Sequence, residues 1–217
     1  MPEPERDPTR VVVVDDHELF VGGLVRMLSE HGIDVVGIAH SGEAALEIVE
    51  RVRPDVVLMD LSLPGISGVE ATRRLRSAHP TQCVIVLTAI SDEVDLIEAI
   101  LAGASGYLLK DASIDEILAG VEAVLRGDSL IAPELTGKLL RRIRSRPLQF
   151  VGPRPRLSDR EREVLELMIE GCDNAEIARR LYISQNTVKN HVSAILAKLG
   201  VDNRVQAVVR AVRGWMT

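Results

Sequence analysis

Short runs of β-branched apolar residues alternate with amphipathic segments through the first half of the chain. The runs predict strands at residues 11–14, 35–38, 56–59, 84–87 and 106–109. The segments between them have apolar residues at helical spacing, among them 43–49, 69–75, 94–101 and 114–125. Because most of the strand runs are continuously apolar and alternate with helices, the pattern predicts an α/β fold. This fold is a five-stranded, doubly wound parallel sheet with helices on both faces.

The second half of the chain has only helical periodicity. It predicts four helices, at 159–170, 174–181, 185–199 and 203–213, and Gly171 and Gly200 are placed to end the first and the third. The stretch between the halves is rich in proline and basic residues, and predicts a linker that begins with a short helix. We therefore expect a tail at 1–9, an α/β domain at 10–127, a linker at 128–156 and an all-α domain at 157–217.

Charge is divided unevenly between these segments. The 217-residue chain has a formal net charge of −6, but residues 1–134 hold 10 basic and 24 acidic side chains. Residues 135–150 hold 5 basic and no acidic side chains, and residues 151–217 hold 11 basic and 8 acidic ones. This asymmetry favours an anionic partner for the basic end of the chain.

Composition excludes several classes of protein. With 46% hydrophobic and 27% charged residues, the chain has the balance of a soluble globular protein. Its N-terminus lacks the apolar core of a signal peptide, and no stretch approaches the roughly 20 apolar residues of a membrane span. The two cysteines, Cys83 and Cys172, do not have metal-ligand spacing. We expect a cytoplasmic protein with reduced thiols and no membrane contact.

Five polar residues directly follow the predicted strands. Asp15 and Asp16 follow the first strand, Asp60 the third, Thr88 the fourth and Lys110 the fifth. Taken singly, an Asp-Asp pair after a strand is an ordinary helix N-cap pattern, and a Thr or Lys at a strand end is an ordinary solvated residue. Because the carboxyl ends of parallel strands meet at one edge of the sheet, where ligands bind, the five together favour a functional site.

The chemistry of these residue types suits phosphoryl transfer. Three carboxylates in one place repel each other unless a cation joins them, and Mg²⁺ prefers oxygen ligands. A carboxylate is also a nucleophile that can form an aspartyl phosphate, which makes Asp60 the natural acceptor. Thr88 could then donate a hydrogen bond to the phosphoryl group, and Lys110 could pair with its charge.

Four motifs carry a resemblance to a known family: VVVVDDHELF, VVLMDLSLPGISG, VIVLTA and GASGYLLKDAS. They resemble the receiver domain of two-component response regulators. The resemblance implies a flavodoxin-like fold, phosphorylation of Asp60, and Mg²⁺ held by Asp15, Asp16, Asp60 and the backbone carbonyl of Ser62. It also implies that Tyr107 is the switch aromatic that moves inward when Thr88 engages the phosphoryl group; the alternative is a half-buried strand tyrosine.

The predicted helices 174–181 and 185–199, joined by a short turn, form a helix-turn-helix pattern. Opposite its apolar stripe the second helix carries side chains that can donate to base edges: Gln185, Asn186, Lys189, Asn190 and Ser193. Four basic residues could contact phosphates: Arg179, Arg180, Lys198 and Arg204. The alternative is a helical hairpin with a solvated polar face.

A second resemblance covers this half. LSDREREVLELMIEG and NAEIARRLYISQNTVKNHVSAILAKLGVDNRVQAV resemble the LuxR-type four-helix DNA-binding domain. By position in that motif, we expect Lys189, Asn190 and Ser193 to contact bases, and Thr187 and Lys198 to contact the backbone. Together the two resemblances cover nearly the whole chain and are those of the NarL/FixJ family of response regulators.

That family implies a transcriptional regulator rather than an enzyme. We expect a histidine kinase to phosphorylate Asp60, and the phosphorylated chain to bind double-stranded promoter DNA as a homodimer, with RNA polymerase as a candidate further partner. One alternative is an aspartyl-phosphate phosphatase, but such enzymes need an acid two residues after the nucleophile, where this chain has Ser62. The other is a DNA-binding regulator that does not depend on phosphorylation.

Overall fold

A computed structural model of the chain describes residues 8–89, 93–128, 130–131, 156–201 and 203–215. The chain divides into two compact units, Met1–Thr136 and Gly137–Thr217. The short basic helix predicted at the start of the linker lies outside the described residues, as does most of the N-terminal tail. The boundaries between the four segments drawn from the sequence therefore stay predictions.

The first unit alternates strands and helices as the hydrophobic pattern predicts. In chain order its elements are β1 (Arg10–Val14), α1 (Glu18–Glu30), β2 (Asp34–Ala39), α2 (Gly42–Val52), β3 (Val56–Asp60), α3 (Gly68–Ala78), β4 (Cys83–Thr88), α4 (Glu93–Leu101), β5 (Gly106–Leu109), α5 (Ile114–Leu125) and β6 (Leu130–Ile131). The strands form one sheet in the order β2-β1-β3-β4-β5-β6, and every pairing is parallel. A doubly wound sheet of this kind is what the sequence predicts.

The sheet has six strands, so the predicted number of five is wrong by one. The additional strand, β6, pairs with Gly106 and Tyr107 of β5 and falls inside the segment predicted as linker. It is only two residues long. A segment that short has no periodicity of its own, and its strand conformation depends on pairing with β5.

The register of the central strands brings their carboxyl ends together. Val14 of β1 lies beside Met59 of β3, and Asp60 lies beside Leu87 of β4. Thr88 in turn lies beside Leu109 of β5. All five residues of β3 are buried, as expected of a strand covered on both faces. The residues that follow these strands are therefore held at one edge by a rigid core.

The second unit consists of helices in the described ranges. They are α6 (Asp159–Ile169), α7 (Asn174–Leu181), α8 (Gln185–Leu199) and α9 (Arg204–Trp215). Ser158, Asp173 and Ser184 cap the first three of these helices with side-chain oxygens. Gly200 ends α8 in the left-handed region at φ 60°, as the sequence predicts. Among the described residues, no helix is long and apolar enough to cross a bilayer.

Candidate functional site

The predicted acidic residues meet at the carboxyl edge of the sheet. Asp15 and Asp60 are buried, whereas Asp16 and His17 are exposed. One ligand atom from each of these four residues lies within 4.8 Å of the others. The arrangement brings together three carboxylates and an imidazole, and we call these four residues the acidic pocket. His17 is the member that sequence reasoning missed, although it directly follows the Asp-Asp pair.

Lys110 supplies the positive charge of this edge. Its Nζ lies 2.6 Å from Asp15 Oδ2 and 2.9 Å from Asp60 Oδ2. Burial disfavours the charge of this ammonium, but the hydrogen bonds and charges of Asp15 and Asp60 outweigh burial and raise the pKa of Lys110. The ring of Phe20, at the start of α1, lies 5.2 Å from the same nitrogen. Lys110 is therefore held as a cation between two buried carboxylates.

The loop that follows Asp60 is held closely against its surroundings. A Cβ atom at Gly68 would overlap the backbone carbonyl of Asp60, and one at Gly42 would overlap the backbone of Ile66. Glu43 Oε1 accepts a hydrogen bond of 3.0 Å from the backbone N–H of Ile66. The start of α2 therefore fixes the loop that carries Ser62. The contribution of Glu43 was missed because it lies 23 positions before its partner.

Thr88 and Tyr107 occupy neighbouring strands. Thr88 is half-buried at the end of β4, and its carbonyl accepts a 2.9 Å hydrogen bond from the backbone N–H of Lys110. Tyr107 is completely buried, and its hydroxyl donates to the carbonyl of Ala104 at 3.1 Å. Burial raises the pKa of this phenol well above its ordinary value. Tyr107 is therefore not half-buried, as the alternative interpretation expected. Its role as the switch aromatic stays a prediction.

The polar face of α8 is open to solvent, as the helix-turn-helix pattern predicts. Val188, Ile195 and Leu199 are buried in the core of the second unit. The side chains predicted to contact bases are all exposed: Lys189, Asn190 and Ser193. Within the described residues, none of these three side chains makes a hydrogen bond or an ion pair. They are available to an external partner.

The residues predicted to contact the DNA backbone have partners within the unit. Thr187 Oγ1 lies 2.8 Å from Ser184 Oγ, and Arg179 Nη2 lies 3.5 Å from Glu176 Oε1. Lys198 Nζ lies 2.6 and 2.7 Å from the two carboxylate oxygens of Glu161.

Glu161 is a buried residue in the first turn of α6, and it also accepts a hydrogen bond from the backbone N–H of Ser158. The Lys198 hydrogen bond, aided by the bond from Ser158, lowers the pKa of Glu161. Lys198 therefore joins the C-terminal part of α8 to the start of α6. The pair spans 37 positions, which local sequence patterns do not reveal.

Two protein families match the two halves of the chain. Residues 11–122 match the response regulator receiver domain, and residues 155–211 match the bacterial regulatory proteins of the luxR family. The chain is a response regulator of the NarL/FixJ family. It combines a receiver domain with a LuxR-type DNA-binding domain, and the resemblance drawn from the motifs is confirmed.

Relatives of this response regulator cover both domains. Transcriptional regulatory protein DegU of Brevibacillus brevis is 40% identical over 95% of this chain and 94% of its own length. Probable transcriptional regulatory protein NarL of Mycobacterium tuberculosis is 40% identical over 98% of each chain. These relatives are transcriptional regulators, which agrees with the regulatory role expected from the motifs.

Solved structures of response regulators have the same fold. ChrA, from a heme-sensing two-component system, has a TM-score of 0.56 at 37% identity and covers 95% of this chain and 97% of its own. RcsB of Salmonella enterica serovar Typhimurium has a TM-score of 0.56 at 26% identity over 96% of this chain and all of its own. That RcsB structure is bound to the promoter rprA in the presence of the phosphomimetic BeF3-.

Proposed function

We propose that this response regulator accepts a phosphoryl group on Asp60 from a histidine kinase and, as a homodimer, binds promoter DNA through α8. The observation that carries the proposal is the position of Lys110, whose ammonium lies 2.9 Å from a buried Asp60 carboxylate. A strand-end lysine without a functional role is expected to extend into solvent rather than to pair with buried carboxylates. A lysine that stabilises a phosphoryl group must lie beside the acceptor.

The acidic pocket suits Mg²⁺. Three of its four residues supply carboxylate oxygens, which this ion prefers, and three carboxylates against the single charge of Lys110 leave an excess of negative charge. Asp15, Asp16, Asp60 and the backbone carbonyl of Ser62 would hold the ion. When bound, Mg²⁺ neutralises phosphoryl oxygens during transfer.

The residues of the chain account for the transfer itself. A carboxylate oxygen of Asp60 attacks the phosphorus of a phosphohistidine, the P–N bond breaks, and the imidazole nitrogen leaves with its electron pair. Lys110 then exchanges its contact with Asp60 for one with a phosphoryl oxygen, and the Thr88 hydroxyl donates a hydrogen bond to another. Tyr107 is buried on β5, the strand next to that of Thr88, and is the residue that would respond when Thr88 engages the phosphoryl group.

The open face of α8 supports the DNA-binding half of the proposal. Lys189, Asn190 and Ser193 can donate to base edges in the major groove, and Thr187, Lys198 and Arg179 would contact the flanking phosphates. The RcsB structure with promoter DNA supports the same use of this domain. A two-fold dimer would place two recognition helices about one DNA turn apart, on paired half-sites. RNA polymerase is a further partner in this proposal.

Phosphorylation by a small donor, followed by selection from a random duplex library at fixed salt, tests the phosphorylation, dimerisation and DNA-binding parts of the proposal. We expect wild type incubated with Mg²⁺ and acetyl phosphate to gain the mass of one phosphoryl group, to dimerise in light scattering, and to enrich a motif of paired half-sites. Asp60→Asn keeps the shape of the side chain but removes the nucleophile, so it should show none of these changes. If both proteins enrich the same motif with equal affinity, phosphorylation does not control binding and a constitutive regulator is the better description.

A further inference from the structure

We propose that His40 is a positioning residue, whose ring holds the peptide group between Asp15 and Asp16 so that their carboxylates are in place before a divalent cation binds. This inference rests on the proposed function, because it concerns how the site for Mg²⁺ is built. His40 lies 25 positions after Asp15 and outside the motifs that predict the site, so only the fold brings the two residues together.

The hydrogen-bond ladder between β1 and β2 ends at Asp15. The backbone N–H of Asp15 donates to the carbonyl of Ala39 at 3.0 Å, directly after the last pair of the two strands, Val14 and Ala39. In a continuing parallel ladder, the backbone N–H two residues after Ala39 would donate to the carbonyl of Asp15. That residue is Ser41, which is the N-cap of α2, so the chain leaves the sheet at this point. The carbonyl of Asp15 therefore needs a donor from outside the ladder.

The ring of His40 supplies this donor. Its Nδ1 lies 2.9 Å from the carbonyl oxygen of Asp15. Because a carbonyl oxygen only accepts hydrogen bonds, Nδ1 carries the proton in this contact. A backbone carbonyl that is withdrawn from water is stabilised when it is paired. A side chain thus replaces the backbone donor where β2 ends.

This bond fixes the part of the acidic pocket that is held least by its other contacts. The carboxylate of Asp15 is held by Lys110 Nζ at 2.6 Å and by the backbone N–H of His17 at 2.9 Å. The side chain of Asp16 is 37% exposed, so its position depends on the peptide group that joins it to Asp15. His40 binds the carbonyl of that group. Ligands that are ordered before binding give a tighter site, because less conformational entropy is lost when the ion binds.

The turn between β2 and α2 contacts both segments that would hold the cation. His40 begins this turn and donates to the carbonyl of Asp15. Glu43, in the first turn of α2, accepts a 3.0 Å hydrogen bond from the backbone N–H of Ile66, in the loop that carries Ser62. One short segment therefore positions the main chain on both sides of the proposed cation site.

Calorimetric titration of the full-length chain with Mg²⁺, at one pH and one salt concentration, tests the inference. His40→Leu removes the donor and keeps a side chain of similar size, whereas His40→Asn places an amide N–H₂ group where Nδ1 stood. We expect His40→Leu to bind Mg²⁺ about tenfold more weakly than wild type. His40→Asn should stay within about threefold of wild type, because it keeps the donor.

Phosphorylation by acetyl phosphate gives a second readout. In His40→Leu, the Mg²⁺ concentration for half-maximal phosphorylation should rise about tenfold, whereas the maximal rate should fall by less than about twofold. This split is expected because Asp60 and Lys110 are unchanged and only the ordering of the cation site is lost.

His31→Leu is the matched control. His31 is another exposed histidine whose Nδ1 lies beside a backbone carbonyl, that of Met27 at 2.8 Å, but it follows the C-terminal end of α1. This variant loses the same kind of hydrogen bond and should bind Mg²⁺ as wild type does.

Two results would show that His40 does not act through this bond: a His40→Asn variant that binds Mg²⁺ as weakly as His40→Leu, or an equal loss of affinity in His31→Leu. Wild-type affinity in all three variants also overturns the inference, and leaves the proposed function intact. If wild type itself binds no Mg²⁺, the inference fails together with the magnesium part of the proposed function.

Discussion

The two candidate functional regions of this response regulator, the acidic pocket and the polar face of α8, differ in whether their charged residues are buried or exposed. In the acidic pocket, Asp15 and Asp60 are buried, and Lys110 Nζ lies within 2.6 and 2.9 Å of them. On α8, Lys189 and Asn190 are exposed and, within the described residues, have no partner in the chain. Both regions were visible in the sequence as polar residues interrupting an apolar pattern, but only the first is built into the core.

The difference fits what each region is proposed to bind. A phosphoryl group is small and highly charged, so its site gains most from groups that are fixed in place and shielded from water before it arrives. DNA is a large surface with regularly spaced acceptors, so side chains that read it must stay exposed on a rigid helix. It follows that substitutions in the pocket should disturb folding and chemistry together, whereas those on α8 should change binding alone.

The largest expected effect is in the loop beside the acceptor. Gly68→Ala would place a Cβ atom against the backbone carbonyl of Asp60, so the backbone must move. We expect the free energy of unfolding to fall by about 3 kcal/mol or more in urea denaturation, and phosphorylation to fall with it. Gly22→Ala is the control, because no atom lies within 4 Å of the added Cβ in α1. That variant should gain about 0.5–1 kcal/mol.

The second prediction concerns the exposed region. Lys189→Ala should weaken binding to the selected DNA motif by about 1–3 kcal/mol in fluorescence anisotropy titrations. Its free energy of unfolding should change by less than about 0.5 kcal/mol, because the side chain has no partner to lose. Arg162→Ala removes the same charge from α6 and should bind as wild type. Equal losses in the two variants would mean that only net charge matters and that α8 does not read bases.

The third prediction concerns the ion pair between the buried Glu161 of α6 and Lys198 of α8. Glu161→Gln removes the partner of Lys198 and weakens the cap of α6, and should destabilise the second unit by roughly 1.5 kcal/mol. Urea denaturation followed by circular dichroism measures this loss.

The pH dependence of this effect has a definite sign. Because the folded-state pKa of Glu161 is lowered, the pair stabilises the fold fully above its ordinary value of 4.5. That contribution is lost as the pH falls through the lower folded-state pKa. The difference in stability between wild type and Glu161→Gln should therefore shrink in acid, and a difference that grew there would contradict this assignment.

The fourth prediction concerns the loop tether. Glu43→Ala removes the hydrogen bond to the backbone N–H of Ile66, and should lower the free energy of unfolding by about 1 kcal/mol. Because this loop carries Ser62, the affinity for Mg²⁺ in calorimetry should also fall by a small factor. Glu47→Ala removes a carboxylate from the same helix, where it makes no hydrogen bond among the described residues. If both variants lose Mg²⁺ affinity equally, the loss reflects net charge rather than loop position.

The parts of this structure that the sequence predicts are those that depend on local pattern or on parallel topology. Asp15, Asp60 and Lys110 each follow an apolar run, and the rule that parallel strands end at one edge brings them together. The strand β6 and the pair of Glu161 with Lys198 depend on contacts between distant segments. Local periodicity has no information about such contacts. His17 belongs to neither group. The sequence shows that it directly follows Asp16, but it does not show how close the ring lies to the carboxylates.

The smallest expected effect is at the turn between α7 and α8. Tyr182 adopts the left-handed conformation at φ 54° and ψ 44°, and its side chain is 95% exposed. Most residues with a Cβ atom are strained in this conformation, but Asn tolerates it better than the others. We therefore expect Tyr182→Asn to raise the free energy of unfolding by about 0.5–1 kcal/mol, measured by urea denaturation followed by circular dichroism.

Tyr182→Ala is the matched control, because it also removes the ring but keeps a Cβ atom without the side-chain amide that makes Asn tolerant here. Relief of strain predicts that only the Asn variant gains stability, whereas removal of an exposed apolar ring would change both variants alike. Since the ring lies on the exposed surface, DNA affinity should be measured in parallel. A variant that gains stability and keeps wild-type affinity places Tyr182 outside the surface that contacts DNA.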